Sequence, residues 1–219
     1  MNTLMSSPVA PLLQRLFEEA NTACSPALTA VPADERQRLL ASRSGYTRLY
    51  RELLKDLWLP VSPETGRLLY LLARSSRARS IVEFGTSFGI SSIHLAAALR
   101  DNGGGRLITT EFEPDKAHRA AAHLREAGLA DLVELRVGDA LQTLAADLPE
   151  SIDLVLLDGA KVLYPEVLDL LQARLRPGAL VLADNADDSP VYLQRVRSDG
   201  SGYLTLPFTD DVELSMRLD

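Results

Sequence analysis

Residues 80–99 read S-I-V-E-F-G-T-S-F-G-I-S-S-I-H-L-A-A-A-L. A short apolar run over 80–84 stops at a glycine, and an apolar helical pattern starts near residue 90. This is a strand, a tight turn and a helix in succession. Gly85 and Gly89 permit the turn and let a ligand approach the backbone closely. Ser91 and Ser92 fall in the first turn of the helix, where free N–H groups can receive a polar or anionic group. The spacing is not the dinucleotide fingerprint G-x-G-x-x-G, which disfavours a nicotinamide cofactor. Glu83, two residues before Gly85, reads either as a solvated or capping carboxylate or as a partner for an amino-bearing ligand.

The same alternation continues downstream. Strands are expected at 106–112, 133–137, 152–158 and 179–184, and helices at about 90–100, 114–127, 139–147 and 164–175. Unbroken apolar strands separated by helices indicate a parallel sheet covered on both faces. The last two apolar segments, G-Y-L-T-L-P-F and V-E-L-S-M-R-L, alternate like an antiparallel edge pair joined by T-D-D. Upstream, periodic spacing predicts helices at 8–22, 33–42 and 46–57. In L-P-V-S-P-E-T-G, Ser62 is an N-cap and Pro63 the first helical residue. The expected fold is a doubly wound, mostly parallel α/β sheet. Residues 1–58 form a helical extension, a lid or a dimer contact, and 59–219 form the ligand-binding part of one compact domain.

The totals narrow the function. The chain has 219 residues, 46% of them hydrophobic, and a net charge of −7. Its mean hydropathy is near zero and its pI about 5.1. An acidic surface repels phosphate backbones and anionic lipid, so neither nucleic acid nor a membrane is an expected partner. No apolar stretch is long enough to span a bilayer, and the N-terminus lacks the basic start and apolar core of a signal peptide. Cys24 is the only cysteine; with no disulfide possible, a reducing, cytoplasmic setting is expected. No basic residue flanks Cys24, which makes it a small buried or neutral residue rather than a nucleophile.

In doubly wound sheets, ligands bind beyond the carboxyl ends of the strands. The polar residues there are therefore the candidates. The second strand ends at Glu111, where an acid commonly takes ribose hydroxyls; Glu113 is better placed to cap the next helix. The third ends in V-G-D-A, where Asp139 is either a helix cap or a contact for an adenine amino group. A glycine turn, a ribose acid and a polar third strand end together suggest a nucleoside ligand. The fourth strand supplies Asp158 and the fifth Asp184 and Asn185. If those strands are neighbours, three oxygen-bearing side chains converge, a set suited to a hard cation such as Mg²⁺. Lys161, three residues after Asp158, reaches the same space. Beside a cation and shielded from water, its pKa is expected to move down from about 10.4 toward that of a general base.

The ordered set E-F-G-T-S-F-G-I-S-S, T-E-F-E, G-D-A, L-D-G-A-K-x-x-Y and A-D-N resembles the cation-dependent O-methyltransferases of the catechol and caffeoyl-CoA types, small bacterial members included. The likeness covers roughly residues 59–218 and implies a Rossmann-like class I methyltransferase fold. It implies that Asp158, Asp184 and Asn185 hold a divalent metal, Mg²⁺ or else Mn²⁺ or Ca²⁺. Lys161 would take the proton of the acceptor hydroxyl. Val61, Ser62, Glu83, Gly85, Thr86, Ser91, Glu111, Asp139, Ala140 and Asp158 would line the S-adenosylmethionine site. The implied acceptor is a small catechol-like or hydroxylated aromatic molecule, and the implied assembly a homodimer.

The sequence departs from these relatives in places. Gly159 and Ala160 stand where catechol-type enzymes carry bulky residues against the substrate ring. A-D-D-S-P after Asn185 is shorter than the caffeoyl-CoA-type insertion, and G-Y-L-T-L-P-F carries no acid for a second catechol hydroxyl. Asp187 and Asp188 read as solvated or as facing an amino-bearing substrate. Tyr164 and Trp58 fit either packing or the active site, and His94, His118 and His123 read as structural or surface residues. Two other functions stay open: a metal-independent methyltransferase acting on nitrogen or on a macromolecule, and a nucleoside-binding scaffold.

Overall fold

A computed structural model describes every residue except Met1, Ala41, Arg43 and Asp210, with the backbone alone at Gln37. Seven strands form one sheet: β1 Ser80–Phe84, β2 Arg106–Glu111, β3 Val133–Val137, β4 Ile152–Leu157, β5 Leu175–Ala183, β6 Tyr203–Pro207 and β7 Glu213–Arg217. Their order is β3-β2-β1-β4-β5-β7-β6. β1 to β5 run parallel, and β7 lies antiparallel to both β5 and β6. The order reverses beside β1, so a crevice opens there at the carboxyl ends of β1 and β4.

Register fixes what meets at that crevice. Phe84 pairs with Leu157, and Leu157 with Ala183. The next residues, Gly85, Asp158 and Asp184, therefore leave the sheet side by side. Backbone bonds continue the ladder past the strands, from Asp158 N to Phe84 O at 2.8 Å and from Asp184 N to Leu157 O at 2.9 Å.

Consecutive strand residues fill opposite cores, as a sheet covered on both faces requires. Ile81, Leu107, Leu154 and Leu182 pack on one side with Leu16, Leu69 and Ile93. Val82, Ile108, Val155 and Val181 pack on the other with Tyr164, Leu168 and Tyr192. The helix Ile90–Asp101 is buried from Ile90 through Leu99, because the helices Pro63–Ser75 and Val9–Thr22 cover it. Gly66 allows that crossing: a Cβ there would stand 2.8 Å from the His94 ring.

Several boundaries differ from expectation. β5 starts at Leu175, and a turn at Gln172–Arg174 replaces the end of the predicted helix. Pro177 and Gly178 are absorbed by a register shift against β4, with Gly178 at φ +78°. The helix predicted at 139–147 spans only Ala140–Thr143, and Pro190–Arg197 forms an unanticipated helix. In the extension, Ala33–Leu40 is helical; Ala41, inside the predicted segment, lies outside the described residues. The expected helix at 46–57 is a short α-turn, Tyr46–Arg48, followed by a π-turn, Leu49–Leu53. Among the described residues no helix is long and apolar enough to cross a membrane.

Candidate active site

The turn after β1 is built around Gly85, at φ +103°, where any Cβ would overlap the Asp158 carbonyl. Only glycine lets β1 and β4 exits approach this closely. Behind the turn, Glu83 is fully buried. Its carboxylate accepts from Ser91 Oγ and Thr109 Oγ1, each at 2.5 Å, and from Ser92 Oγ. Burial pushes its pKa up to about 7, against the hydroxyls that favour the charged form. Glu83 thus braces the helix start from within and lies behind the crevice. Thr86 Oγ1 and Thr109 Oγ1 share a hydrogen bond of 2.6 Å.

A narrow pocket of about 50 Å³ runs over β1, β2 and β3, with Gly85, Glu111, Asp139, Ala140 and Asp158 in its wall. The Glu111 carboxylate accepts from Ser87 N at 2.7 Å and Glu113 N at 2.9 Å, and burial raises its pKa. Glu113 caps the following helix through Lys116 N at 2.8 Å, as its position suggested. Asp139 caps Ala140–Thr143 through Leu141 N at 2.9 Å, and its other oxygen accepts from the Tyr46 hydroxyl at 3.1 Å. Lys116, whose pKa burial lowers, lines the same wall and donates to Leu57 O at 2.9 Å. Tyr46, Tyr50 and Lys116 were not singled out in the sequence; the tyrosines come from the extension, and local pattern does not show where it folds back.

At the ends of β4 and β5, Lys161 Nζ lies 3.0 Å from Asp158 Oδ1. Burial raises the Asp158 pKa, with Lys161 opposing. Burial and the neighbouring Asp158 charge push Asp184 up to about 7. Burial favours a neutral Lys161, but Asp158, Tyr50 and Asp184 together outweigh it and the net shift is upward. Paired with Asp158 and without a cation beside it, Lys161 is held as an ammonium; the lowered pKa expected beside a cation is a separate case. Asn185 adopts φ 47° and ψ 47°, and its Nδ2 lies 3.5 Å from Asp211 Oδ2. Tyr164, fully buried, donates to Asp184 O at 2.7 Å and so fixes the strand exit.

Two crowded carboxylates are short of positive charge, and with the Asn185 carboxamide they form a hard-oxygen set that fits a divalent cation. Among the described residues no group of three or more His, Cys, Asp or Glu side chains could hold a metal, so the third ligand would have to be the Asn185 oxygen. These groups open on a second cavity of about 550 Å³, whose wall includes Tyr50, Ser62, Asp188 and Asp211. Asp211, in the β6–β7 turn, adds a carboxylate to this wall.

Other expected residues fall as follows. Ser62 caps Pro63–Ser75 through Thr65 N at 3.0 Å and faces the larger cavity, whereas Val61 is buried in the core. Thr86 and Ser91 border a small recess beside Trp58, which stacks on Phe88 at 4.3 Å. Gly159 and Ala160 line the narrow pocket rather than the larger cavity; a side chain at Gly159 would overlap the Phe84 ring. His94 and His123 bond backbone carbonyls, at 2.8 and 2.9 Å. Cys24 is exposed, not buried.

Known proteins share this fold. Residues 82–186 match a methyltransferase domain. A catechol O-methyltransferase from Niastella koreensis is 38% identical over 130 residues, spanning 58% of this chain and 58% of that protein. The O-methyltransferase TomG from Streptomyces achromogenes, involved in tomaymycin synthesis and crystallised with S-adenosylmethionine, is 34% identical. Its TM-score is 0.63, with 87% of this chain and 92% of TomG covered. Cofactor-bound Rv0187 from MTB is 26% identical with a TM-score of 0.67, covering 98% and 99% of the two chains. The glycine turn at β1 and the acids ending β2 to β5 thus stand on a fold shared with cofactor-bound structures, and the chain belongs to the O-methyltransferase family.

Proposed function

We propose that the protein transfers a methyl group from S-adenosylmethionine to a hydroxyl of a small catechol-like molecule, with a divalent cation bound at Asp158, Asp184 and Asn185. The observation that carries this reading is the meeting of two cavities at Asp158. One has a nucleoside-type wall; the other holds Lys161 and the oxygen donors. When bound, S-adenosylmethionine would supply an electrophilic methyl, and the cation would supply Lewis acidity that favours loss of a proton from the acceptor hydroxyl.

The protein's own groups do the rest. Glu111 and Asp139 face ribose and base, after the Tyr46 hydroxyl has left Asp139. Gly85 lets the sulfonium end approach the crevice. Lys161 receives the acceptor's proton at Nζ; sharing Asp158 with a cation weakens the support that keeps Nζ protonated. Trp58, Leu59 and Pro60 border the larger cavity and shield the transfer from water, and holding nucleophile and methyl in near-attack geometry provides most of the gain. A homodimer built on the N-terminal helices is proposed from the resemblance alone.

The test is a labelled-methyl assay against catechols, single-hydroxyl phenols and amines, with Mg²⁺ and with chelator. Labelling of catechols only with Mg²⁺ supports the reading. Labelling of amines or proteins that persists in chelator overturns it in favour of a metal-independent transferase.

A further inference from the structure

The narrow pocket and the larger cavity share Tyr50, Leu59 and Asp158 among their described lining residues. Anything passed from one to the other crosses this junction. Asp158 is engaged with Lys161, and Leu59 offers apolar surface alone. Tyr50 brings both a flat ring and a hydroxyl.

Its backbone setting is the second observation. Tyr50 lies in the π-turn Leu49–Leu53, closed by Leu54 N to Leu49 O at 2.9 Å. Leu49, Leu53 and Leu54 bury together in a small apolar cluster, while Tyr50 borders both cavities. A π-turn is rarer than an α-turn, and such turns occur frequently at functional sites; here the widened turn keeps three leucines inside and the tyrosine at the junction. The Tyr50 hydroxyl has no hydrogen-bond partner among the described residues, although Lys161 and Asp158 are near enough to act on it electrostatically. Burial pushes its pKa up to about 12, so it is a neutral donor at ordinary pH.

The geometry points to Tyr50 as the residue that positions the acceptor, its ring walling the junction and its hydroxyl bonding the oxygen next to the one methylated. This rests on the catechol reading above and adds a determinant of which hydroxyl reacts. Leu59 completes the wall without polar preference, so orientation of an unsymmetrical catechol falls to Tyr50.

The experiment compares wild type, Tyr50→Phe and Tyr50→Ala with 3,4-dihydroxybenzoate, S-adenosylmethionine and Mg²⁺, separating the two monomethyl ethers by chromatography. Loss of one hydrogen bond in Tyr50→Phe lowers kcat/KM about tenfold, mainly through KM, and shifts the ether ratio at least about threefold. Tyr50→Ala moves the ratio further, and thermal melts check folding. Wild-type KM and ether ratio in Tyr50→Phe overturn the inference. So does a fall in kcat with KM and ratio unchanged in both variants, which marks a structural role. If wild type methylates no catechol, the functional reading itself fails and the inference falls with it.

Discussion

Lys161 Nζ stands 3.0 Å from Asp158 Oδ1, with the two side chains only 13% and 10% exposed. At that burial water screens the pair weakly, so each group sets the other's charge. The same carboxylate borders both cavities, so a group bound in either one meets Asp158.

Lys161→Met removes the proposed base and leaves two adjacent buried carboxylates without their cation. Turnover is expected to fall by on the order of 10²- to 10⁴-fold, with S-adenosylhomocysteine binding by calorimetry nearly unchanged. In metal-free buffer, urea unfolding should show a loss of about 3 kcal/mol, partly restored by Mg²⁺. Turnover within about fivefold of wild type would remove Lys161 from the role of general base.

Glu83 ties stability to pH. Its folded pKa, about 7, lies above the ordinary 4.5. The folded state therefore holds the proton more tightly. The stabilising contribution is fully present below about pH 4.5 and is lost as pH rises through 7. The shift corresponds to roughly 3 kcal/mol across that window. Glu83→Gln, which does not titrate, should flatten the pH dependence of urea unfolding between pH 5 and 8. Equal slopes for the two proteins would show that Glu83 is not the group responsible.

A nucleoside bound at Asp139 would compete with Tyr46. The Tyr46 hydroxyl occupies one Asp139 oxygen at 3.1 Å, and the pocket beneath is only about 50 Å³. Without that hydrogen bond to break, Tyr46→Phe should bind S-adenosylhomocysteine about three- to tenfold more tightly. Calorimetry reads this directly; weaker binding would mean that Tyr46 holds the nucleoside instead of excluding it.

Much of this site was legible in the sequence because it is local to strand ends. The run 80–94 placed β1, its glycine turn and the next helix within a residue of their observed bounds. Parallel neighbours then brought Asp158, Asp184 and Asn185 together, as the β4–β5 register requires. At Glu83 the sequence leaves the direction open, because a strand-end acid can point toward a ligand or back into the protein. Here three hydroxyls draw it inward. The extension was the least legible part: nothing in L-Y-R-E-L marks a π-turn, and the approach of Tyr46 and Tyr50 to strand ends far along the chain is a tertiary choice. β5 began early because its neighbour tolerates a bulge at Pro177 and Gly178, residues that usually end a strand.

In the proposed reaction, methyl transfer depends on a cation held by Asp158, Asp184 and Asn185. The most direct measurement is the initial rate of labelled-methyl transfer to a catechol against free Mg²⁺, for wild type and Asp184→Ala at saturating S-adenosylmethionine. The prediction is a rate that rises hyperbolically with Mg²⁺ from background in wild type. Asp184→Ala should give a flat response at least about 10²-fold lower. A full wild-type rate in excess chelator would contradict the account.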